Sequence, residues 1–320
     1  QLAPKFCILH SAFCIFSHPL QHMEYDIPRG LIIPMKDKVF LILGGDNRSL
    51  YLGEYLEKQH FGVCYYAFSQ TDCYENLTDA INEADFIILP LPLTRDRIIL
   101  NAPLFDETVL LADIYALATS EKMFFGGQLP KSFCEELDAR GVPYCDYFLL
   151  DELAVYNAVP TAEGVLKVLI EELPVTIHGM KCAVTGYGKV GKVLAGTLKS
   201  LGADVTIFAR KEYDFADAFT KSVKHKHFST LETENHTFDV LINTVPTKVI
   251  SATVLDKLNA ECVLVEIASA PFGIDFQAAK ERAMTVVKAS SLPGKVAPKS
   301  AGEIIGRSIL PIIRARGYTD

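Results

Sequence analysis

A glycine-rich segment, GYGKVG at residues 186–191, has the residue types and the spacing that bind a dinucleotide. The apolar run at 182–185 predicts a buried strand before it, and apolar residues at helical spacing follow at 192–200. In such a turn the first glycine makes the tight bend, the second lets the backbone approach a pyrophosphate, and the third lets the helix pack on the strand. The amide groups that begin the helix then face the phosphates. We therefore predict cofactor contacts from Gly186, Tyr187, Gly188, Lys189, Val190 and Gly191.

The end of the next strand, predicted at 204–208, indicates which dinucleotide binds. An NAD site usually has an acidic residue about 20 residues after the glycine motif, bonded to the ribose 2′-hydroxyl. This chain has Ala209, Arg210 and Lys211 there instead. A guanidinium can bind a 2′-phosphate with two parallel hydrogen bonds, so we predict NADP(H), with Arg210 as the phosphate ligand and Lys211 assisting. The alternative is a solvated Arg-Lys turn.

Further candidates follow other predicted strands, because open parallel sheets bind ligands beyond the carboxyl ends of their strands. In the second half of the chain, small and polar residues at such exits are expected to border the nicotinamide ribose, although ordinary loops have a similar composition. They are Thr244, Val245, Pro246, Ala268 and Ser269.

In the first half, two arginines follow strands and could bind a substrate carboxylate with paired hydrogen bonds. Arg48 follows the strand predicted at 38–43, and Arg95 follows the one at 84–89. Lys295 lies between prolines after the last strand, where the composition predicts a rigid loop that holds a cation at the cleft. The competing interpretation of all three is a solvated surface side chain.

The composition excludes several classes of function. The 320 residues carry a net charge of -8, which gives no basic surface for nucleic acid, and no apolar run in the first 34 residues is long enough to cross a bilayer. The eight cysteines include no C-x-x-C pair and no histidine partner at zinc spacing. We therefore expect a cytoplasmic protein without a metal site or membrane contact.

Strands that alternate with helices predict an α/β fold of two Rossmann-like lobes, with parallel doubly wound sheets and a cleft between them. The expected domains are a substrate and catalytic domain at 35–155, joined by a C-terminal helix at 301–320, and an NADP-binding domain at 156–300. A short apolar run predicts a strand at 109–111. Pro160 is expected to open a helix, and Pro311 is expected to break the final helix.

Residues 1–34 have no clear hydrophobic period and stand outside this pattern. We interpret Met35 as the natural start, with residues 1–34 an artefact of upstream translation or cloning. A genuine, poorly ordered extension is the alternative.

Six segments together resemble the family of the dipicolinate synthase A subunit, in the order in which that family has them. They are GGDNR (44–48), ILPLPLTRD (88–96), NAVPTAEG (157–164), GYGKVG (186–191), ASAPFGIDF (268–276) and LPGKVAPKSAGEIIG (292–306). The two-lobe plan is also similar to that of alanine dehydrogenase and adenosylhomocysteinase, in which the terminal helix crosses back to the first lobe.

The resemblance implies NADP-dependent oxidation of dihydrodipicolinate to dipicolinate in the mother cell of a sporulating bacterium, with a flavoprotein-like B subunit of the same synthase as partner. Arg48, Arg95 and Lys295 would then complement the two carboxylates of the substrate, and Lys295 would also belong to the catalytic set. The base is not identifiable from the sequence: Asp46 is the first candidate by position, and Glu163 and water are its rivals.

Two other functions stay open at this point. The chain could bind NADP(H) and the B subunit as a scaffold or sensor without its own hydride transfer, or it could oxidise another small amino or hydroxy acid. The second is less favoured because no histidine-acid pair follows a strand in the first lobe. The sequence does not determine whether the chain forms a homo-oligomer.

Overall fold

The first lobe is a five-stranded parallel sheet with helices on both faces. The computed structural model describes residues 33–34, 38–69 and 73–319. The strand order is β3-β2-β4-β5-β6, which places the topological switch point between β2 and β4. The elements are β1 (Ile33–Pro34), β2 (Val39–Leu43), β3 (Gly62–Tyr66), β4 (Phe86–Ile88), β5 (Met123–Gly126) and β6 (Tyr144–Asp146), with α1 (Asn47–Lys58), α2 (Leu77–Glu83), α3 (Leu111–Ala116) and α4 (Lys131–Ala139).

Side chains of this sheet alternate between two apolar cores, as the period of a β-strand requires. Leu41 and Leu43 belong to the core on one face. Phe40 and Ile42 belong to the core on the other face. Because every one of these side chains is fully buried, the strands are continuous apolar runs, and the sequence predicts them well.

A single long helix, α5 (Asp151–Glu172), follows the first sheet and leads to the second lobe. It passes through the predicted domain boundary at 155/156. In the described part of the chain it is the one helix long and apolar enough to cross a membrane, a property that helices packed inside a protein share.

The second lobe is a six-stranded parallel sheet in the order β12-β11-β10-β7-β8-β9, which is the order of a dinucleotide-binding fold. Its switch point lies between β7 and β10. The elements are β7 (Lys181–Thr185), β8 (Asp204–Ala209), β9 (Lys224–His227), β10 (Val240–Asn243), β11 (Val263–Glu266) and β12 (Val286–Lys288), with α6 (Lys189–Ser200), α7 (Glu212–Thr220), α8 (Thr230–Thr233), α9 (Ala252–Leu255) and α10 (Phe276–Glu281).

The chain then returns to the first lobe. Helix α11 (Leu292–Val296) packs against α5, and α12 (Pro298–Ala315) packs mainly against α1. Ile305, Ile309 and Ile313 of α12 are buried in a core of the first sheet. A final strand, β13 (Tyr318–Thr319), pairs in parallel with β1. The predicted fold class, including the returning C-terminal helix, is thereby confirmed.

Four details differ from the prediction. Residues 109–111 form no strand; Val109 and Leu111 are apolar because loop and helix bury them. The helix predicted to open at Pro160 begins nine residues earlier, at Asp151. The final helix continues through Pro311. The segment around Lys295 is the helix α11 rather than a loop. Of the extension at 1–34, residues 1–32 lie outside the described residues, as does Met35.

Candidate active site

A cavity of about 450 Å³ lies between the two lobes, where the carboxyl ends of both sheets meet. The first lobe, the joining helix α5 and the second lobe all contribute to its wall. The lining residues are Arg48, Leu91, Pro92, Gln128, Phe148, Leu153, Ala154, Asn157, Thr161, Val190, Thr244, Pro246, Ile267, Ala268, Ser269, Ala289, Ser291, Leu292 and Pro293.

The glycine turn between β7 and α6 has the geometry of a pyrophosphate cradle. Gly186 has a φ of +89°, which favours glycine. A Cβ at Gly191 would overlap the carbonyl oxygen of Gly186, so the close packing of helix on turn requires glycine there. Gly188 is the N-cap of α6, provides no side-chain hydrogen bond to the helix, and has open space beside it. The first amide groups of α6 are thus available to an anion.

The side chains of this motif divide between the core and the cleft. Tyr187 is buried in the core of the second lobe, so its contribution to cofactor binding is limited to its backbone. Lys189 forms an ion pair with Asp151 at the start of α5. Val190 lines the cavity. Of the predicted motif contacts, Val190 is therefore the one whose side chain faces the site.

The segment after β8 lies away from this cavity. Ala209 is buried, whereas Arg210 and Lys211 are exposed, and none of the three lines the cavity. No ion pair or hydrogen bond of the Arg210 side chain is found among the described residues. The adenosine end of a dinucleotide lies toward the second strand of such a fold, so a dinucleotide bound at the glycine turn would direct its nicotinamide end toward the cavity.

The loops after β10 and β11 are held by a buried polar network. Glu266 of β11 is 2% exposed and accepts hydrogen bonds from the backbone amides of Ala268, Gly273 and Ile274 at 2.8–3.0 Å. Asn243 of β10 donates to Glu266 at 2.7 Å and to the carbonyl of Val245 at 2.9 Å. The network fixes both loops. Four of the five predicted ribose neighbours lie on these loops and line the cavity: Thr244, Pro246, Ala268 and Ser269.

Arg48 is the cationic side chain in the cavity wall. Its Nε and Nη2 donate to both carboxylate oxygens of Asp46 at 2.8–3.2 Å, and Nη2 also donates to the carbonyl of Leu91 at 2.5 Å. Burial of Arg48 works against its charge, but the hydrogen bond and negative charge of Asp46 prevail, and the pKa of Arg48 is raised. Gly294 of α11 packs on this guanidinium, and a Cβ there would lie 2.7 Å from Nε. Arg48 thus joins the switch point of the first lobe to the returning chain.

Asp46 has two structural tasks. Its Oδ1 caps α1 by accepting from the amide of Arg48 at 3.0 Å, and both oxygens bind the Arg48 guanidinium. It is not among the residues that line the cavity. This geometry favours a positioning role for Asp46 over the predicted role as a base.

Gln128 enters the cavity wall from a conformation unusual for its residue type. Its φ is +56°, the left-handed region that favours glycine. The carboxylate of Asp146 accepts from the amides of Gln128, Leu129 and Phe148 at 2.9–3.1 Å. One carboxylate therefore fixes both loops that place Gln128 and Phe148 at the cavity.

One face of α5 supplies side chains that the strand-exit rule does not indicate. Leu153, Ala154, Asn157 and Thr161 recur at helical spacing and all line the cavity. Asn157 and Thr161 belong to the segment NAVPTAEG, which carries the family resemblance but has no role assigned from the sequence. Strand exits could not indicate them because they lie on a helix.

The other predicted substrate ligands lie outside the cavity. Arg95 and Lys295 are exposed, and neither is among the lining residues. Arg95 lies in the surface loop after β4, and Lys295 lies on the exposed side of α11. The structure thus brings together Arg48 and the cofactor turn, but not all three predicted cations.

Two family models cover most of the chain. Residues 39–148 match the N-terminal domain of the dipicolinate synthase A subunit. Residues 160–305 match the NAD binding domain of S-adenosyl-L-homocysteine hydrolase.

The relatives agree with these domains. The dipicolinate synthase A subunit of Bacillus subtilis (strain 168) is 28% identical over 282 residues, which cover 85% of this chain and 94% of the relative. The crystal structure of the dipicolinate synthase A subunit from Bacillus halodurans has a TM-score of 0.81 at 28% identity, covering 88% of this chain and 99% of that one. The chain is a homologue of the dipicolinate synthase A subunit. The resemblance predicted from its motifs is confirmed.

More distant structures show the fold alone. An L-alanine dehydrogenase has a TM-score of 0.56 at 15% identity, covering 86% of this chain and 88% of that one. This homologue of the dipicolinate synthase A subunit therefore has the dehydrogenase-type fold with a domain for a nicotinamide dinucleotide. Within the described residues, no group of three or more His, Cys, Asp or Glu side chains could hold a metal ion.

Proposed function

We propose that this chain is the dehydrogenase subunit of a dipicolinate synthase, which oxidises dihydrodipicolinate to dipicolinate with NADP as the hydride acceptor. The observation that carries the proposal is Arg48, a cation in the wall of the cavity between the lobes, which Val190 of the glycine turn also lines. A small dianion bound there would lie within reach of the nicotinamide ring.

Recognition of the substrate begins with Arg48. Asp46 and the Leu91 carbonyl hold the guanidinium at Nε and Nη2, so the remaining Nη1 donors are available to a carboxylate. Because the guanidinium is already fixed, little side-chain entropy is lost when the substrate binds. The second carboxylate would be bound by uncharged donors of the wall, or by Arg95 and Lys295 if closure of the lobes brings them in.

The chain's contribution to the reaction is orientation. When bound, the dinucleotide accepts a hydride at its nicotinamide ring. The α6 amides would hold the pyrophosphate, and the loops fixed by Glu266 would border the ribose. Loss of a proton accompanies hydride loss, and formation of the aromatic ring supplies driving force. Neither Asp46 nor Glu163 lines the cavity, which leaves water as the best-supported proton acceptor of the three predicted candidates.

The preference for NADP rests on Arg210. This side chain is exposed beyond β8 and engaged in no ion pair among the described residues, so it is available to a 2′-phosphate. No acidic residue stands where an NAD site would bind the 2′-hydroxyl.

The relatives are named as one subunit of a synthase, which implies a second subunit as partner. We propose that the partner is the flavoprotein-like B subunit and that the pair works in the mother-cell cytoplasm during sporulation. That partner would then either supply the substrate that this chain oxidises or receive its product.

The test is an assay of the purified chain with freshly generated dihydrodipicolinate and either NADP or NAD. We expect one NADPH per dipicolinate, and a preference for NADP that Arg210→Ala removes. Equal use of both cofactors would contradict the NADP assignment. Cofactor binding without any turnover, even after the B subunit is added, would instead favour the scaffold or sensor function.

Arg48→Ala identifies the substrate-binding residue in the same assay. We expect kcat/KM to fall by about 10- to 100-fold, the equivalent of a charged hydrogen bond of ~1.5–3 kcal/mol, with NADP binding little changed. Arg307→Ala, which removes a half-exposed cation of α12, is the control. Unchanged kcat/KM in Arg48→Ala would refute the assignment.

A further inference from the structure

One side chain of the cavity wall carries a polar atom that has no partner among the described residues. Oδ1 of Asn157 is buried, and no donor among the described residues is within hydrogen-bond distance. The same side chain lines the cavity between the lobes. Buried polar groups are nearly always hydrogen-bonded, so an unpaired acceptor at a ligand cavity indicates a missing partner.

The helix that carries Asn157 cannot supply that partner. The nearest hydroxyl on the same face, Oγ1 of Thr161, donates to the backbone carbonyl of Asn157 at 2.6 Å. The neighbouring cavity residues of α5, Leu153 and Ala154, have apolar side chains. The position is also in the interior of α5, where the backbone amides bond within the helix.

We propose that Asn157 binds the occupant of the cavity by accepting a hydrogen bond from an uncharged N–H or O–H group. Two ligands offer this chemistry: the cofactor, through the carboxamide of its nicotinamide ring, and the substrate, through its ring nitrogen or a ring hydroxyl. The identity of these ligands rests on the proposed function. The hydrogen-bonding role of Asn157 is additional to it, because the proposed function assigns recognition of a substrate carboxylate to Arg48 and gives Asn157 no role.

The residue type fits this role. An amide accepts a hydrogen bond without bringing a negative charge into the cavity, whereas an aspartate there would repel a dianionic substrate. Asn157 also lies on the helix that links the lobes, so a ligand bonded to it and to Arg48 would contact both the first lobe and the joining helix.

This role predicts opposite effects on stability and on binding. In the empty protein the unpaired acceptor is unfavourable, and asparagine is a weaker helix former than alanine. Asn157→Ala should therefore keep or raise the melting temperature. In the same variant, the affinity for one ligand should fall by about 5- to 10-fold, the usual effect of losing one hydrogen bond. A purely structural side chain would lower the melting temperature and leave affinity unchanged.

The experiment compares wild type, Asn157→Ala, Asn157→Asp and the control Val159→Ala, whose residue is 51% exposed on the same helix. Thermal unfolding is measured without ligand, and the Kd values of NADP and of dipicolinate are measured by calorimetry. Weaker binding of NADP alone assigns the cofactor as the donor, and weaker binding of dipicolinate alone assigns the substrate. Asn157→Asp should weaken dipicolinate binding further.

The proposal is overturned if Asn157→Ala binds both ligands as tightly as Val159→Ala does, whether or not its melting temperature falls. A wild-type protein that binds neither ligand would also overturn it. Turnover is assayed separately, so that binding without oxidation of dihydrodipicolinate would count against the proposed function and leave the result for Asn157 standing.

Discussion

At the scale of single residues, Asp146 sets the shape of the first-lobe wall of the cavity. Its carboxylate accepts three backbone hydrogen bonds and holds Gln128 at a φ of +56°. A non-glycine residue in that region costs on the order of 1–3 kcal/mol, so neighbouring contacts must hold it. Strain located at a cavity indicates that the position of the Gln128 side chain matters for binding.

Asp146→Asn should give a stability difference from wild type that depends on pH. Burial of Asp146 raises its pKa, against the lowering effect of the three backbone amides. The folded state therefore holds the proton more tightly than the unfolded chain. This stabilising contribution is complete below the ordinary pKa of about 3.9 and is lost as pH rises through the higher folded value. Since Asn does not titrate, the free energy of unfolding of wild type relative to the variant should decrease as pH rises.

Urea unfolding of both proteins from about pH 3.5 to pH 7 measures this difference. Asp113→Asn, at an exposed position of α3, is the control for the loss of one negative charge. A difference that increases with pH, or that follows the Asp113→Asn control, would contradict the assignment.

The residues that the sequence could indicate are those tied to a local rule. Arg48 follows a strand, and Gly186 and Gly191 stand in a spaced motif, so local sequence was enough to make each of them a candidate. Gln128 was missed because its left-handed backbone depends on Asp146, 18 residues away, and leaves no local signal. Asn157 was missed because its role depends on which face of α5 meets the cavity.

At the scale of elements, burial decides which strands and helices the sequence reveals. The strands β2 and β8, expected at 38–43 and 204–208, were predicted because their side chains are mostly apolar and buried. The edge strand β9, with the sequence KHKH, was missed because all four residues are exposed and carry no hydrophobic pattern. A helix start at Pro160 was expected because proline favours the first turn, but the preceding residues of α5 already form helix.

Helix α6 contains two glycines with different surroundings: Gly191 packs on the glycine turn, and Gly196 has open space beside it. Gly191→Ala should abolish tight NADP binding and destabilise the protein, because its Cβ meets the backbone of Gly186, which cannot move without opening the turn. Gly196→Ala has no atom within 4 Å of the new Cβ and should stabilise the protein by about 0.5–1 kcal/mol. NADP titration and thermal unfolding of both variants check this. Normal NADP affinity in Gly191→Ala would show that the turn is not the pyrophosphate site.

At the scale of the whole molecule, the chain crosses between the lobes twice, through α5 and through α11 with α12. The sequence predicted the two-lobe plan because each lobe has its own alternation of strands and helices. The predicted domain boundary at 155/156 lies within α5, a continuous helix with residues in the cavity wall both before and after that boundary. The cleft is therefore built by long-range packing, and this explains why its wall was only partly predictable.

The return of α12 can be tested by comparing two buried leucine-sized side chains in different cores. Ile309 of α12 and Leu198 of α6 are both 0% exposed, but Ile309 lies in a core of the first lobe and Leu198 in a core of the second. Each change to alanine should cost about 2–5 kcal/mol. Under the proposed function NADP binds the second lobe, so saturating NADP should raise the melting temperature of Ile309→Ala nearly as much as that of wild type. In Leu198→Ala the same NADP concentration should give a smaller increase, since the binding lobe itself is weakened. If NADP raised the melting temperature of Ile309→Ala as little as that of Leu198→Ala, α12 would have to contribute to the stability of the second lobe, and not mainly to that of the first.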